Sequence, residues 1–266
     1  MNNQQRITAV VAVGVLASLA VGAGSGHNSR RPTRPKWALH GPYHPKINPA
    51  DFVSGIDNGY FPLEPGTTFH YSGYSGKTRQ TDDAVVLHRT KVVVGIRCTV
   101  VRDSVSERGR VVERTFDWYA QDKDGNVWYM GENSLERKHG RLVRADDSWQ
   151  AGVNGGKPGI IMEGNPKPGD VYRQEYYPPG GGLDQARVLG TVATITVPAG
   201  TYKDALSTIE WSPVEPQLER KYYSAGIGEI EEQVVAGGHE RFRLVRVTHE
   251  QPARASQPAA RAEAVF

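Results

Sequence analysis

The sequence predicts a mainly β protein, built as a single strongly curved antiparallel sheet. The expected form is a half-barrel-like meander with one short N-terminal helix. Three observations predict it. Runs rich in Val, Thr, Tyr and Trp recur at short spacing and are broken by turn residues. The 30 Gly and 17 Pro among 266 residues supply many turns. A helical period is almost absent outside one short stretch near the start.

That stretch begins at Asn48, a good capping residue, with Pro49 at the first helical position and Asp51 in the first turn. It should end near Asn58-Gly59. The strands then follow in order as Ala84–Val94, Ile96–Val105, Arg110–Gln121 and Val127–Glu132. Ser106-Glu107-Arg108-Gly109 turns the second into the third, and Asp122-Lys123-Asp124-Gly125-Asn126 turns the third into the fourth. Gly140–Pro168 is rich in Gly, Asp and Pro and reads as a long excursion between two halves of the sheet. Later strands are Asp170–Tyr177, Ala186–Val197, Ala205–Trp211, Leu218–Tyr223, Gly228–Val235 and Arg241–His249. Within Arg110–Gln121, alternation places Val112, Phe116, Trp118 and Ala120 on an expected core face. Glu113, Thr115, Asp117, Tyr119 and Gln121 then face solvent or a wet cavity.

The chain is expected to divide into residues 1–23, a signal peptide; 24–44, a basic Pro-rich linker; 45–250, the β domain; and 251–266, a disordered tail. Arg6 gives the signal its positive start, Ile7 to Ala23 its apolar run, and Val21-Gly22-Ala23 small residues at a cleavage point. An uncleaved signal would act as an N-terminal anchor. Either way the protein is expected to be secreted or extracytoplasmic, in the cell envelope. Lys+Arg 32 against Asp+Glu 29 leaves a net charge of +3, too little to suggest nucleic acid as a partner. The lone cysteine, Cys98, excludes an internal disulfide and a multi-cysteine zinc site. It shares a strand face with Ile96 and Val100 and reads as a buried, inert thiol.

Several patterns were weighed for chemistry. Glu113, Asp117 and Glu132 gather around one hairpin beside Tyr119, and paired carboxylates can serve as acid and base on a polysaccharide. Glu113 and Asp117 alone are roughly 13 Å apart along an extended strand, so a partner from a neighbouring strand is required. Asp122–Asn126 is a hairpin turn and not a calcium loop, because position twelve is Asn133 and both flanks are strands. Ser75-Gly76-Lys77-Thr78 lacks the first glycine of a phosphate loop, that position being Tyr71. His40 and His44 lie in a Gly/Pro loop. No cofactor and no metal site is expected. The aromatics are the loudest feature. Trp128, Tyr129, Tyr176, Tyr177, Tyr222 and Tyr223 are candidate ligand-binding residues, since paired neighbours put one ring on each face of a sheet.

Asn58-Gly59-Tyr60-Phe61-Pro62-Leu63, Asp117-Trp118-Tyr119-Ala120-Gln121-Asp122, Gly125-Asn126-Val127-Trp128-Tyr129, Val197-Pro198-Ala199-Gly200-Thr201-Tyr202 and Lys221-Tyr222-Tyr223-Ser224-Ala225-Gly226-Ile227-Gly228 form a set. Together they resemble a family of uncharacterised secreted or envelope-associated bacterial proteins, over about residues 45 to 250. The closing motifs are similar to those of curved-sheet proteins like the lipoprotein-carrier half-barrel. The resemblance implies a scaffold and no catalytic residue, and this chain lacks the cysteine after the signal that lipid-anchored relatives carry. The expected function is non-enzymatic binding of an apolar or amphipathic envelope component such as a lipid, glycolipid or polysaccharide. That reading requires one apolar sheet face left uncovered by the chain. The alternative is a secreted polysaccharide-acting enzyme that uses carboxylates and tyrosines on the polar face. Envelope proteins are further possible partners.

Overall fold

The structure is a computed structural model describing residues 33–214 and 217–250; the expected signal and the tail lie outside them. Among the described residues a single 3-10 turn, Pro49–Asp51, precedes fourteen strands. These are β1 (Thr67–Ser75), β2 (Thr78–Val93), β3 (Ile96–Glu107), β4 (Arg110–Gln121), β5 (Val127–Lys138), β6 (Arg141–Arg144) and β7 (Lys157–Met162). They continue as β8 (Val171–Arg173), β9 (Glu175–Tyr176), β10 (Gln185–Val197), β11 (Gly200–Trp211), β12 (Leu218–Ser224), β13 (Gly228–Ala236) and β14 (Arg241–His249). All belong to one antiparallel sheet, ordered β8-β10-β11-β12-β13-β14-β1-β2-β3-β4-β5-β7-β9, with β6 also beside β5.

The two ends of that order are β8 and β9, which are separated in the chain by Gln174 alone. β8 pairs with β10, and β9 pairs with β7. The sheet therefore curls until its two edges meet on one short stretch of backbone. The hydrogen-bond ladder stays open there, and the covalent chain bridges it. The curl goes further than the expected half-barrel because register shifts recur, as at Leu87/Thr90, Asp117/Tyr119 and Val188/Gly190. Each bulge bends its strand and increases the local twist.

The expected helix is cut to a 3-10 turn. Its start signals are present: Asn48 Oδ1 accepts from the Ala50 N–H at 3.2 Å, and Pro49 opens the turn. The chain then runs out along the end of β4, where the Val53 N–H donates to the Gln121 carbonyl at 3.0 Å. The following segment closes one end of the barrel. The Asn58 amide donates to the carbonyls of Gly125 (2.8 Å) and Glu163 (3.0 Å), and the Gly226 N–H donates to the Gly59 carbonyl at 2.7 Å. Ile56, Phe61 and Leu63 plug the interior, with Phe61 edge-on to Tyr119 at 5.4 Å.

The excursion after residue 140 does not separate two half-sheets. β6 pairs with the far end of β5, Gln150 bridges to Gly131, and β7 pairs with the near end. The whole segment thus acts as one interrupted neighbour of β5. Residues 33–44, expected within a solvated linker, lie against the seam where the sheet edges meet. Arg173 donates to the Gly41 carbonyl at 3.1 Å, and the Leu39 N–H donates to Gln185 at 2.6 Å. Cys98 is fully buried, and its thiol is pushed up to about 12 by that burial.

Candidate functional site

The faces of β4 are the reverse of the sequence expectation. Glu113, Thr115, Asp117, Tyr119 and Gln121 point inward and are buried; of the expected core face, Val112 and Phe116 are half-buried on the outside, while Trp118 and Ala120 are buried as expected. Alternation distinguishes two faces but does not say which is concave. The concave face of this barrel is occupied by polar groups, and Asp82, Asp103, Glu113 and Glu132 each bury a carboxyl oxygen with no hydrogen-bond partner among the described residues. The Asp117 carboxyl accepts from the Tyr129 hydroxyl at 3.0 Å and stands opposite Glu132 on β5. Tyr119 stacks on Tyr129 at 5.1 Å. Glu113 stands opposite Glu136.

Burial raises the carboxyl pKa values throughout this interior. It pushes Glu113 up to about 8, helped by Asp147, Glu136, Asp82 and Asp117. It raises Asp117, with Asp82 adding to the shift, and it raises Glu132, with Asp147 and Asp117 adding. Asp82 and Asp103 sit within hydrogen-bond reach, and two carboxyls make that contact only by sharing a proton. On the opposite wall, Lys221 is 1% exposed and ion-paired to Glu210 (3.1 Å) and Glu232 (3.2 Å). Burial opposes its charge, but Glu210, Glu232 and Glu229 outweigh burial and hold the ammonium protonated.

Glu113, Asp117, Tyr119 and Glu132 thus converge, but inside the packed barrel, where each side chain is 3% exposed or less. The small pocket at Gln174, Asp184 and Glu210 offers about 10 Å³, room for about one water. Among the described residues no group of three or more His, Cys, Asp or Glu is arranged to hold a metal ion. Asp122 is saturated by the protein: it accepts from the N–H groups of Asp124 and Asn126, the Asn126 amide and the Trp128 indole, at 2.7–3.0 Å. The expected uncovered apolar face is also missing. The concave face is packed on itself, and the exposed large apolar residues, such as Val53, Tyr74, Val92 and Leu189, are scattered.

The six candidate aromatics separate. Tyr129 and Tyr223 are fully buried in the interior. Trp128 packs on Phe52 at 6.3 Å, Tyr176 lies under Tyr43 at 5.7 Å with Lys157 and Arg173 over its ring, and Tyr222 carries Arg220. Tyr177 alone of the six lines a large groove on the outside of the sheet.

That groove, about 770 Å³, crosses the convex side of β2 to β5 and is walled by residues 144–154. Phe116 and Trp118 project from β4, and Trp149 stacks with Tyr177 at 6.4 Å and 17°. Three cations join them: Arg89 and Lys91 from β2, and Arg144 from the end of β6. The Lys91 ammonium stands 3.3 Å over the Trp118 ring, and the Arg89 guanidinium 4.7 Å over Phe116. Asn133, Gln150 and Asn154 add amides. The Trp149 indole N–H is buried without a hydrogen-bond partner among the described residues. Sequence reasoning missed Arg89, Lys91 and Arg144; it assigned Phe116 and Trp118 to the core, where Trp118 is buried and Phe116 is half-buried. A signal was present in the i, i+2 spacing of Arg89 with Lys91 and of Phe116 with Trp118, which puts each pair on one strand face.

No protein-family model matches this sequence, and no curated protein matches it. Two solved structures are distantly similar. One is a protein from Bacteroides fragilis described as exported and of YmcC-like fold, at 14% identity and a TM-score of 0.43, covering 72% of this chain and 99% of that one. The other, from Parabacteroides distasonis and described as a lipoprotein, has 12% identity and a TM-score of 0.36, covering 73% of this chain and 100% of that one. Both likenesses are too distant to transfer a function.

Proposed function

We propose that this is an exported, non-enzymatic binding protein of the cell envelope, and that the outer groove binds the glycan portion of an envelope polymer or glycolipid. The observation that carries the reading is the groove itself. It sets the half-buried rings of Phe116 and Tyr177 beside the amides of Asn133, Gln150 and Asn154, with Trp118 (7% exposed) and Trp149 (3% exposed) buried in its wall, and ring edges with amides are a combination that contacts sugar faces and hydrogen-bonds their hydroxyls. Export rests on the apolar, uncharged run Ile7 to Ala23 behind Arg6. The burial of Glu113, Asp117 and Glu132 favours binding over hydrolysis, because no substrate oxygen reaches a carboxyl that is sealed in a barrel. The polar, self-packed interior favours a sugar over an acyl chain as the recognised part.

The test is tryptophan fluorescence of the full chain titrated with oligosaccharides released from its host's envelope. Saturable binding that Trp118→Ala removes, in a chain that still unfolds cooperatively although the loss of this buried ring costs about 3–5 kcal/mol, is the expected result. A lack of response to every fraction, or binding insensitive to Trp118, would sink the reading. Envelope fractionation of the expressed protein tests export; recovery in the cytosol would overturn it.

A further inference from the structure

We propose that the groove selects for negative charge, with Arg89, Lys91 and Arg144 forming a cradle for the carboxylate or phosphate of an acidic glycan. This rests on the reading that the groove binds a glycan, and it narrows the class of glycan.

The first support is the sign of the lining. Three cations line the groove, and among the described residues no Asp or Glu does. None of the three has a carboxylate partner among the described residues. A protein with 29 acidic residues has no shortage of counter-ions. The nearby strand β4 sends its acids, Glu113 and Asp117, inward instead. The groove is therefore a place where cations are gathered and left unpaired.

The second support is how they are gathered. Arg89 and Lys91 share the outer face of β2, while Arg144 sits on β6, four strands further along the sheet. The register of five strands and the path of the segment after β6 are needed to bring Arg144 to the same groove. Burial depresses the Lys91 ammonium, Cys98 opposes that shift, and Arg144 lies near enough for its charge to add to the depression. Two like charges facing each other cost free energy that a bound anion removes.

The third support is the arrangement of charge around rings. Lys91 is held over Trp118 and Arg89 over Phe116. A cation whose close partner is a ring face keeps its full charge for an incoming anion. A sugar held in the groove then brings its carboxylate or phosphate to the guanidinium and ammonium groups, where charge-assisted hydrogen bonds form.

The test uses a matched pair of probes that differ in charge alone: oligogalacturonate and its fully methyl-esterified form, titrated into the full chain at low and moderate salt. The acid form is expected to bind at least about tenfold more tightly, an advantage that shrinks as salt rises. Arg144→Gln and Lys91→Gln should each weaken the acid form about tenfold more than they weaken the ester. Arg144 is exposed, so its replacement leaves the fold intact, and thermal melts check this for both variants. Equal affinity for acid and ester, with Trp118→Ala abolishing both, would overturn the charge cradle while leaving the glycan site standing. Binding of neither probe would overturn the cradle and the glycan reading together.

Discussion

Replacing Glu113 by Gln should remove a pH dependence that the fold carries at one site. Glu113 is 3% exposed, its Oε1 has no hydrogen-bond partner among the described residues, and Glu136 stands opposite it on β5. Burial first, then Asp147, Glu136, Asp82 and Asp117, push its pKa from 4.5 up to about 8. The folded pKa lies above the unfolded one, so the contribution to stability is fully present below pH 4.5 and is lost as pH rises towards 8. Across that window the unfolded chain has released the proton and the folded chain has kept it. The linkage slope for one proton is about 1.4 kcal/mol per pH unit. Between pH 5.5 and 7.5 this single group therefore costs the fold about 3 kcal/mol. Gln has nearly the shape of the protonated acid and no charge to release. Urea unfolding at pH 5.5, 6.5 and 7.5 should show the variant's stability falling less steeply than wild type by about 1.4 kcal/mol per unit. Parallel pH profiles would mean that Glu113 is ionised in the folded protein, and the picture of a protonated carboxyl interior would fail.

Lys221→Met should destabilise by about 3–5 kcal/mol, because it leaves Glu210, Glu229 and Glu232 buried without their cation. A change below about 1 kcal/mol in urea unfolding would show that these acids are neutral without Lys221. Gly159→Ala should prevent folding or open the seam, since the added carbon would stand 2.3 Å from the Gln174 backbone where the sheet edges meet. An unchanged melting temperature would contradict the closure described for β7, β8 and β9. Asp117→Asn keeps an oxygen that accepts from Tyr129, so the fold should survive with a flatter pH profile; loss of folded protein at pH 6 would show that the acidic proton itself is required.

The strand plan was largely legible in the sequence. The bounds Arg110–Gln121 and Arg241–His249 match β4 and β14, the turn at Asp122–Asn126 stands where Gly and Asp placed it, and the one expected over Ser106–Gly109 narrows to Arg108–Gly109, with Ser106 and Glu107 paired in β3. β1 escaped notice because Ser and Gly dilute its alternation, and Gly73 is there because Arg241's carbonyl passes 2.0 Å from where a Cβ would sit. β7 was hidden by Pro158 and Gly159, which read as loop residues. The inversion of β4 has a different origin. Hydrophobicity marks a buried face only when the interior is apolar, and here Asp82, Asp103, Asp117 and Glu132 are admitted because they hold or share protons. The groove was illegible as a whole, since Lys91, Trp118 and Arg144 meet through strand register and not through proximity in the chain.

The central claim is that the convex groove, and no other part of the barrel, receives the ligand. The five tryptophans report on it. In the full chain labelled with nitrogen-15, the indole N–H signals can be followed while oligogalacturonate is added. The account predicts that Trp118 and Trp149 shift together and saturably, while Trp128, held by Asp122, and Trp211, on β11, stay in place. Shifts at Trp128 or Trp211 with Trp118 and Trp149 unmoved would contradict it.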